Sequence, residues 1–300
     1  MNTAKRARAT IAILHPGEMG ARLGELLAAR GHRVLAWSAG RSAATRERAA
    51  RAGLAPVDSL AELAARCEVA LSLVPPDAAE PTARAFAAAV ASGRAPLFAD
   101  LNSIGPELAR RIAALLEARG IACVDGALHG QARRLPAGGL LFLSGAHAPR
   151  VAALFEGALE MRLLGPEIGA ASLVKLLLSC VSKSMVALCL EAGAAAQDAR
   201  SLPAFWDALE HFYPELALAV QRMGPTLPRH AARRAVELAH AEAWLRSAGR
   251  EPGFAAASRR FLERTAAAGL PAEHPASGGA WPLPELIEAL RGRSAEEMVR

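Results

Sequence analysis

From residue 11 to about residue 165, short apolar runs alternate with helix-length segments, and then the strand signals stop. The runs are Ile11–Leu14, Val34–Trp37, Val69–Val74, Leu97–Asp100, Ile121–Asp125 and Leu140–Ser144. Helical segments lie between them, at about 21–31, 43–52, 59–67, 81–91, 107–119 and 149–157. Parallel strands need a crossover of a dozen or more residues, usually a helix, so this alternation predicts a doubly wound, mainly parallel sheet. Beyond residue 165 only helical segments follow, at about 203–210, 215–223, 230–248, 254–268 and 284–290. Gly224-Pro225, Pro252-Gly253, Pro271 and Gly278-Gly279 punctuate them. The expectation is an α/β domain over 1–165 and an all-α domain over 166–300. A chain of 300 residues with 52% hydrophobic content can supply a core to each.

The first strand runs into His15-Pro16-Gly17-Glu18-Met19-Gly20, then an amphipathic helix closed by Gly31, then the second strand. Strand, glycine turn, helix and strand within about 30 residues form the unit that binds dinucleotides. Gly17 would let the backbone approach a pyrophosphate, and Gly20 would let the helix pack close to the strand. The helix N-terminus would offer free N–H groups. His15 stands where GxGxxG has its first glycine. The alternative is an ordinary strand–helix turn. After the second strand, an NAD site usually presents an acid to the ribose. Here the segment is Ser38-Ala39-Gly40-Arg41-Ser42, with no acid. Arg41, flanked by Ser38 and Ser42, suits a 2′-phosphate and points to NADP(H) rather than NAD(H). The other reading of Arg41 is a residue that solvates the next helix. Val74, Pro75 and Pro76 end a strand at the carboxyl edge of the sheet, where ligands bind.

The net charge is +6, but the arginines are scattered beside glutamates and aromatic content is 4%. This reads as solvated helix faces, not a nucleic-acid footprint. Cys67, Cys123, Cys180 and Cys189 form no CxxC pair and lie in apolar runs, as expected of buried thiols in a reducing compartment. No metal site is expected. The basic N-terminus leads into only a short apolar strand, unlike a signal peptide, so the cytoplasm is the expected compartment.

Residues 165–196 read as one long helix, apolar and free of Pro after Pro166. Among 35 basic residues only Lys5, Lys175 and Lys183 are lysines, and two of the three lie here. They also oppose a membrane reading of this helix. Steps of four place Lys175, Ser179 and Lys183 on one face. Burial can lower a lysine pKa enough for proton transfer. A lysine on a core helix can equally snorkel to solvent. Lys183 lies ~12 Å along the helix from Lys175.

Four ordered motifs carry a family resemblance. They are PGEMG with the downstream GHRVLAW, then DLNSIGP from Asp100 to Pro106, then DGALHG from Asp125 to Gly130, then Gly165 through Gly169 leading to Lys175. Together they resemble the β-hydroxyacid dehydrogenase superfamily, the relatives of 3-hydroxyisobutyrate and 6-phosphogluconate dehydrogenases. The helical half is similar to the poorly characterised branch with a phosphogluconate-dehydrogenase-like C-terminal domain. The resemblance implies an NADP(H)-dependent oxidoreductase acting on a carbonyl/alcohol pair, with Lys175 as general acid/base and Ser179 in the place of its usual Asn partner. It puts Asn102 beside the nicotinamide, with Ser103, His129, Gly130 and Lys183 toward the substrate. The family's Ser-Gly-Gly loop reads His129-Gly130-Gln131 here, with only Gly130 in common. Glu237 and Glu242 would either reach the cleft or lie on a solvated face. The resemblance also implies a homodimer through the helical domain. An imine-reductase-like enzyme and a non-catalytic NADPH-binding regulator are the alternatives.

Overall fold

A computed structural model describes residues 8–297, with side chains described through Arg291. The basic leader read above as unlike a signal peptide, with Lys5, lies outside the described residues. The elements in order are β1 (Thr10–Ile13), α1 (Glu18–Ala29), β2 (Arg33–Trp37), α2 (Ala43–Arg51), β3 (Ala55–Val57), α3 (Leu60–Arg66), β4 (Val69–Ser72), α4 (Ala79–Ala89), β5 (Leu97–Asp100), α5 (Pro106–Glu117), β6 (Cys123–Gly130), β7 (Gly139–Ser144), α6 (Ala148–Phe155) and β8 (Glu160–Leu163). Then come α7 (Ala170–Asp198), α8 (Leu202–Phe212), α9 (Pro214–Met223), α10 (Leu227–Ser247), α11 (Gly253–Ala267) and α12 (Leu283–Glu297). The chain forms two compact units, divided within α7 between Lys175 and Leu176.

In the first unit the strands lie in the order β3-β2-β1-β4-β5-β6-β7-β8. Every pairing is parallel except β6 with β7. The order 3-2-1-4-5-6 is that of a dinucleotide-binding sheet, and it reverses direction between β1 and β4. Successive side chains point to opposite faces of a strand, and here both faces are buried. Ile11 and Ile13 pack on one side with Leu23 and Leu27 of α1 and Val151 of α6. Ala12 and Leu14 pack on the other with Leu63, Phe86 and Ile112 of α3, α4 and α5. The rings of Phe86 and Phe98 meet at 5.3 Å between centroids.

Four elements, β3, β8, β6 and α7, differ from the sequence reading. Two edge strands, β3 and β8, gave no apolar run: β3 has three residues including Pro56, and β8 is Glu-Met-Arg-Leu with mostly exposed side chains. Strand β6 continues through the motif to Gly130 because an antiparallel partner, β7, pairs with it along its whole length from Asp125. The long helix begins at Ala170, not Gly165. Gly165 and Gly169 have φ of 89° and 98°, left-handed conformations outside helical geometry.

The second unit is helical. Val186, Cys189 and Leu190 of α7 pack in a core with Leu202, Val220 and Leu238 of α8, α9 and α10. By length and composition α7 is apolar enough to cross a membrane, and these core contacts account for part of that composition.

Candidate cofactor and proton-transfer site

The carboxyl ends of β1, β2, β4 and β5 bring the predicted residues to one edge of the first unit. Pro16 is buried, and Met19 packs against the core. Gly17 caps α1 in an extended conformation with no side-chain hydrogen bond to the helix, whereas Ser42 and Ser59 cap α2 and α3 with their hydroxyls. The first N–H groups of α1, beside exposed Glu18, are therefore left for another acceptor. A Cβ at Gly20 would lie 2.4 Å from the His15 carbonyl oxygen, so only glycine allows the helix this close to the turn. A helix N-terminus with free N–H groups behind a glycine turn is the kind of site that fits a pyrophosphate.

At the end of β2 the backbone turns, with the Arg41 N–H donating to the Ser38 carbonyl at 3.2 Å and Gly40 at φ 72°. The Arg41 guanidinium lies over the Trp37 ring, 4.6 Å from its centroid, and its Nε is buried with no hydrogen-bond partner. Ser42 spends its hydroxyl on the α2 cap, accepting from the Thr45 N–H at 3.3 Å. Half-buried His15 is held below the usual imidazole pKa by burial and by the positive charges of Arg41 and Arg48.

Asn102 is buried, and both ends of its amide are used. Its Oδ1 accepts from the Val74 N–H at 2.6 Å, and its Nδ2 donates to Ser72 Oγ at 3.1 Å. It ties the turn after β4, where Pro75 and Pro76 are exposed, to the loop after β5. Its own N–H donates to Asp100 Oδ1 at 2.9 Å. One residue further, Ser103 Oγ accepts from Lys175 Nζ at 2.5 Å. The structure thus joins Lys175 to the Asp100–Pro106 motif, 72 residues away in sequence.

Sequence reasoning missed what holds Lys175 there. The buried Asp125 carboxylate accepts four hydrogen bonds: from Gly169 N–H at 3.0 Å, Ser172 N–H at 3.1 Å, Ser172 Oγ at 2.6 Å and Ser144 Oγ at 2.9 Å. Ser144 Oγ accepts in turn from the Ala171 N–H at 3.1 Å. A side chain from β6 and one from β7 therefore cap α7 in place of a local N-cap. Ala171 also packs against Ala127 and Phe142 beneath it. The available signal was an Asp inside an apolar strand, because a buried carboxylate needs partners. Asp100 stands beside Asp125 in register. Burial pushes the Asp100 carboxyl up to about 7, against the hydrogen bonds from Asn102, and the Asp125 charge adds to the rise. Its Oδ2 is buried without a partner.

His129 and Gly130 are exposed at the end of β6, paired with Leu140 and Gly139. A Cβ on Gly130, at φ 137°, would come within 2.6 Å of the Gly138 carbonyl oxygen, so the glycine serves the hairpin. In the second unit Ser179 donates to Glu237 Oε2 at 3.1 Å and accepts from Lys183, which pairs with Glu237 at 2.7 Å. Burial holds the Lys183 ammonium below the usual lysine pKa in spite of that carboxylate. Burial raises the Glu237 carboxyl, but Lys183 and Arg233 outweigh it and leave the pKa low. Glu237 and Glu242 do not form a solvated face. Glu242 is buried and bound by Arg246 and by Arg259, the latter at 2.8 Å. Among the described residues no cluster of His, Cys, Asp and Glu could hold a metal ion.

The family model for the NAD-binding domain of 6-phosphogluconate dehydrogenase matches residues 10–159. A search of curated proteins found no match. Among solved structures, the conserved protein MTH1747, described as structurally similar to 3-hydroxyacid dehydrogenases, is 27% identical, with 85% of this chain and 96% of that one covered and a TM-score of 0.71. The 3-hydroxyisobutyrate dehydrogenase of Mycobacterium tuberculosis, solved with L-serine, shares the fold at 21% identity, with coverage of 95% and 100% and a TM-score of 0.74. So does a reductive aminase from Aspergillus terreus, solved with NADPH and ethyl levulinate, at 22% identity, the same coverage and a TM-score of 0.57. A turn, a sheet order and a domain model that agree over half the chain lead to one conclusion: the protein belongs to the β-hydroxyacid dehydrogenase superfamily of NAD(P)-dependent dehydrogenases, with an NAD-binding domain of the 6-phosphogluconate dehydrogenase type.

Proposed function

We propose that the protein is an NADP(H)-dependent oxidoreductase that interconverts a carbonyl compound and its alcohol, with Lys175 as the general acid/base. The observation that carries this reading is the 2.5 Å hydrogen bond between Lys175 Nζ and Ser103 Oγ, at the edge where the dinucleotide turn also lies. When bound, the nicotinamide supplies or accepts the hydride. The chain's own residues do the rest. In reduction Lys175 gives a proton to the substrate oxygen, and in oxidation it takes the hydroxyl proton. Ser103 orients the ammonium group and is exchanged for substrate oxygen as the second hydrogen-bond partner. Asn102 holds the Ser103 loop against the turn after β4, and Asp125 holds the start of α7. On this reading residues 1–165 bind the cofactor, while 166–300 supply the substrate and dimer surfaces. Lys183, Ser179 and Glu237 are polar groups of that second region.

Support for NADP(H) comes from Arg41, with its unpartnered Nε, and Arg48 near the ribose end of the turn, where no acid follows β2. Support for a homodimer comes from Leu178, Val181, Met185 and Leu188 of α7, which repeat at helical spacing and are exposed. We read the protein as soluble and cytoplasmic.

The test is turnover of a panel of ketones and aldehydes with NADPH, by wild type and Lys175→Ala. Turnover lost with Lys175→Ala while NADPH still binds supports the enzyme. Tight NADPH binding with no consumption on any carbonyl would identify a regulator instead. For the cofactor, NADPH and NADH are titrated against wild type and Arg41→Ala, and equal affinities in both proteins would overturn the 2′-phosphate role.

A further inference from the structure

His15 occupies the position at which the dinucleotide turn usually has its first glycine, and the structure gives that side chain surroundings of its own. It lies two residues beyond β1, which pairs in register with β2, and Arg41 lies in the turn after β2. The ring lies against Gly17: a Cβ there would be 3.3 Å from His15 Cδ2 and 3.5 Å from Nε2. The imidazole therefore sits over the glycine that caps α1. Two positive groups act on it, Arg41 from the turn after β2 and Arg48 from α2. Arg41 is held on Trp37 with a buried, unpartnered Nε, a donor left for an anion.

We propose that His15 is a proton-coupled ligand of the cofactor's phosphates: NADPH binding converts its neutral imidazole to imidazolium, with one proton taken from solvent. This inference rests on the NADP(H) reading above. In the free protein burial, Arg41 and Arg48 all oppose a charge on the ring. A 2′-phosphate bound between the arginines cancels their repulsion and adds an attraction of opposite sign. The bound form therefore holds the proton more tightly than the free form. By linkage, NADPH affinity rises as pH falls between the two imidazole pKa values, by up to about tenfold per pH unit. NADH, which lacks that phosphate, shows a weaker effect. The His15 side chain thus contributes to discrimination between the two cofactors.

The experiment is calorimetric titration of NADPH and of NADH at pH 6.0–8.0 in two buffers of different ionisation enthalpy, which reads proton uptake directly. It is run on wild type, His15→Asn and His15→Gln. The imidazole of His15 is followed in parallel by nitrogen-15 NMR with and without NADPH. Expected are proton uptake with NADPH that exceeds that with NADH, its loss in both variants, and a ring pKa raised by NADPH. The 2′-phosphate's own ionisation near pH 6 is common to all three proteins, so the comparison of wild type with the two variants, rather than of NADPH with NADH, isolates His15. Proton uptake unchanged in both variants, with NADPH still preferred over NADH, would overturn the role of His15 and leave the NADP(H) reading standing. Equal NADPH and NADH affinities would overturn both.

Discussion

Lys175 and Asp100 show how position decides what a charged side chain can do. The proposed role of Lys175 needs an ammonium that can lose its proton, which a guanidinium cannot. Lys175→Arg is therefore expected to keep the positive charge and NADPH affinity but lower kcat by roughly 10²–10⁴-fold, the usual range for general acid/base catalysis. Steady-state kinetics beside a binding titration would check this, and an active Lys175→Arg enzyme would exclude Lys175 as the proton donor. Asp100 makes the opposite case. Its carboxyl is raised to about 7 by burial, well above its value of 3.8 when solvated. The folded chain thus binds a proton that the unfolded chain has lost, between pH ~4 and ~7. Stability from this group falls as pH rises through that window, and above it the buried charge carries its full cost. Asp100→Asn removes the charge at similar size. Its melting temperature relative to wild type is expected to be higher at pH 8 than at pH 5; a constant difference across that range would show that Asp100 does not titrate there.

Helix α7 illustrates that an element's start can be set by residues far from it in sequence. Its first N–H groups point to Asp125 and Ser144, both on the sheet. Those bonds stabilise the helix end and orient the side chains of its first turns, Lys175 included. Asp125→Ala would leave the Ser144 and Ser172 hydroxyls and two N–H groups without their acceptor. Hydrogen bonds to a charged group are worth about 1.5–3 kcal/mol each, not additively, so a loss of ~3 kcal/mol or more is expected. Urea denaturation measures it. The milder Ser144→Ala should keep the fold and lower kcat more than NADPH affinity, since the cofactor turn is built without it. The same reasoning explains the misplaced helix start: Pro166 and Glu167 suit the first turn of a helix, but two left-handed glycines and a distant cap begin it at Ala170.

For the molecule as a whole, the exposed stripe of α7 is the feature a single chain leaves unexplained. Val181 and Leu188 are 55% and 66% exposed, one turn on either side of Met185. A single apolar side chain at the surface is ordinary, but four on one helix face form a patch. A Val181→Glu, Leu188→Glu double variant should shift the protein from dimer to monomer in sedimentation. An unchanged mass in both proteins would exclude this face as the dimer contact.

Much of the architecture was legible from local pattern. Period-two and period-3.6 apolar spacing is a property of neighbouring residues, so the alternation, the strand–glycine–helix turn and the α/β region followed by a helical one could be read directly. Short edge strands such as β3 and β8 could not, because half their hydrogen bonding and most of their burial come from a neighbour the sequence does not name. The same holds for the partners that matter chemically. The spacing of Lys175, Ser179 and Lys183 put them on one face, but only folding paired Lys175 with Ser103 and turned Ser179 toward Lys183 and Glu237. Local periodicity specifies which side of an element is apolar. Which polar groups meet is decided by long-range packing, because a buried charge takes its partner from whatever element the sheet brings alongside.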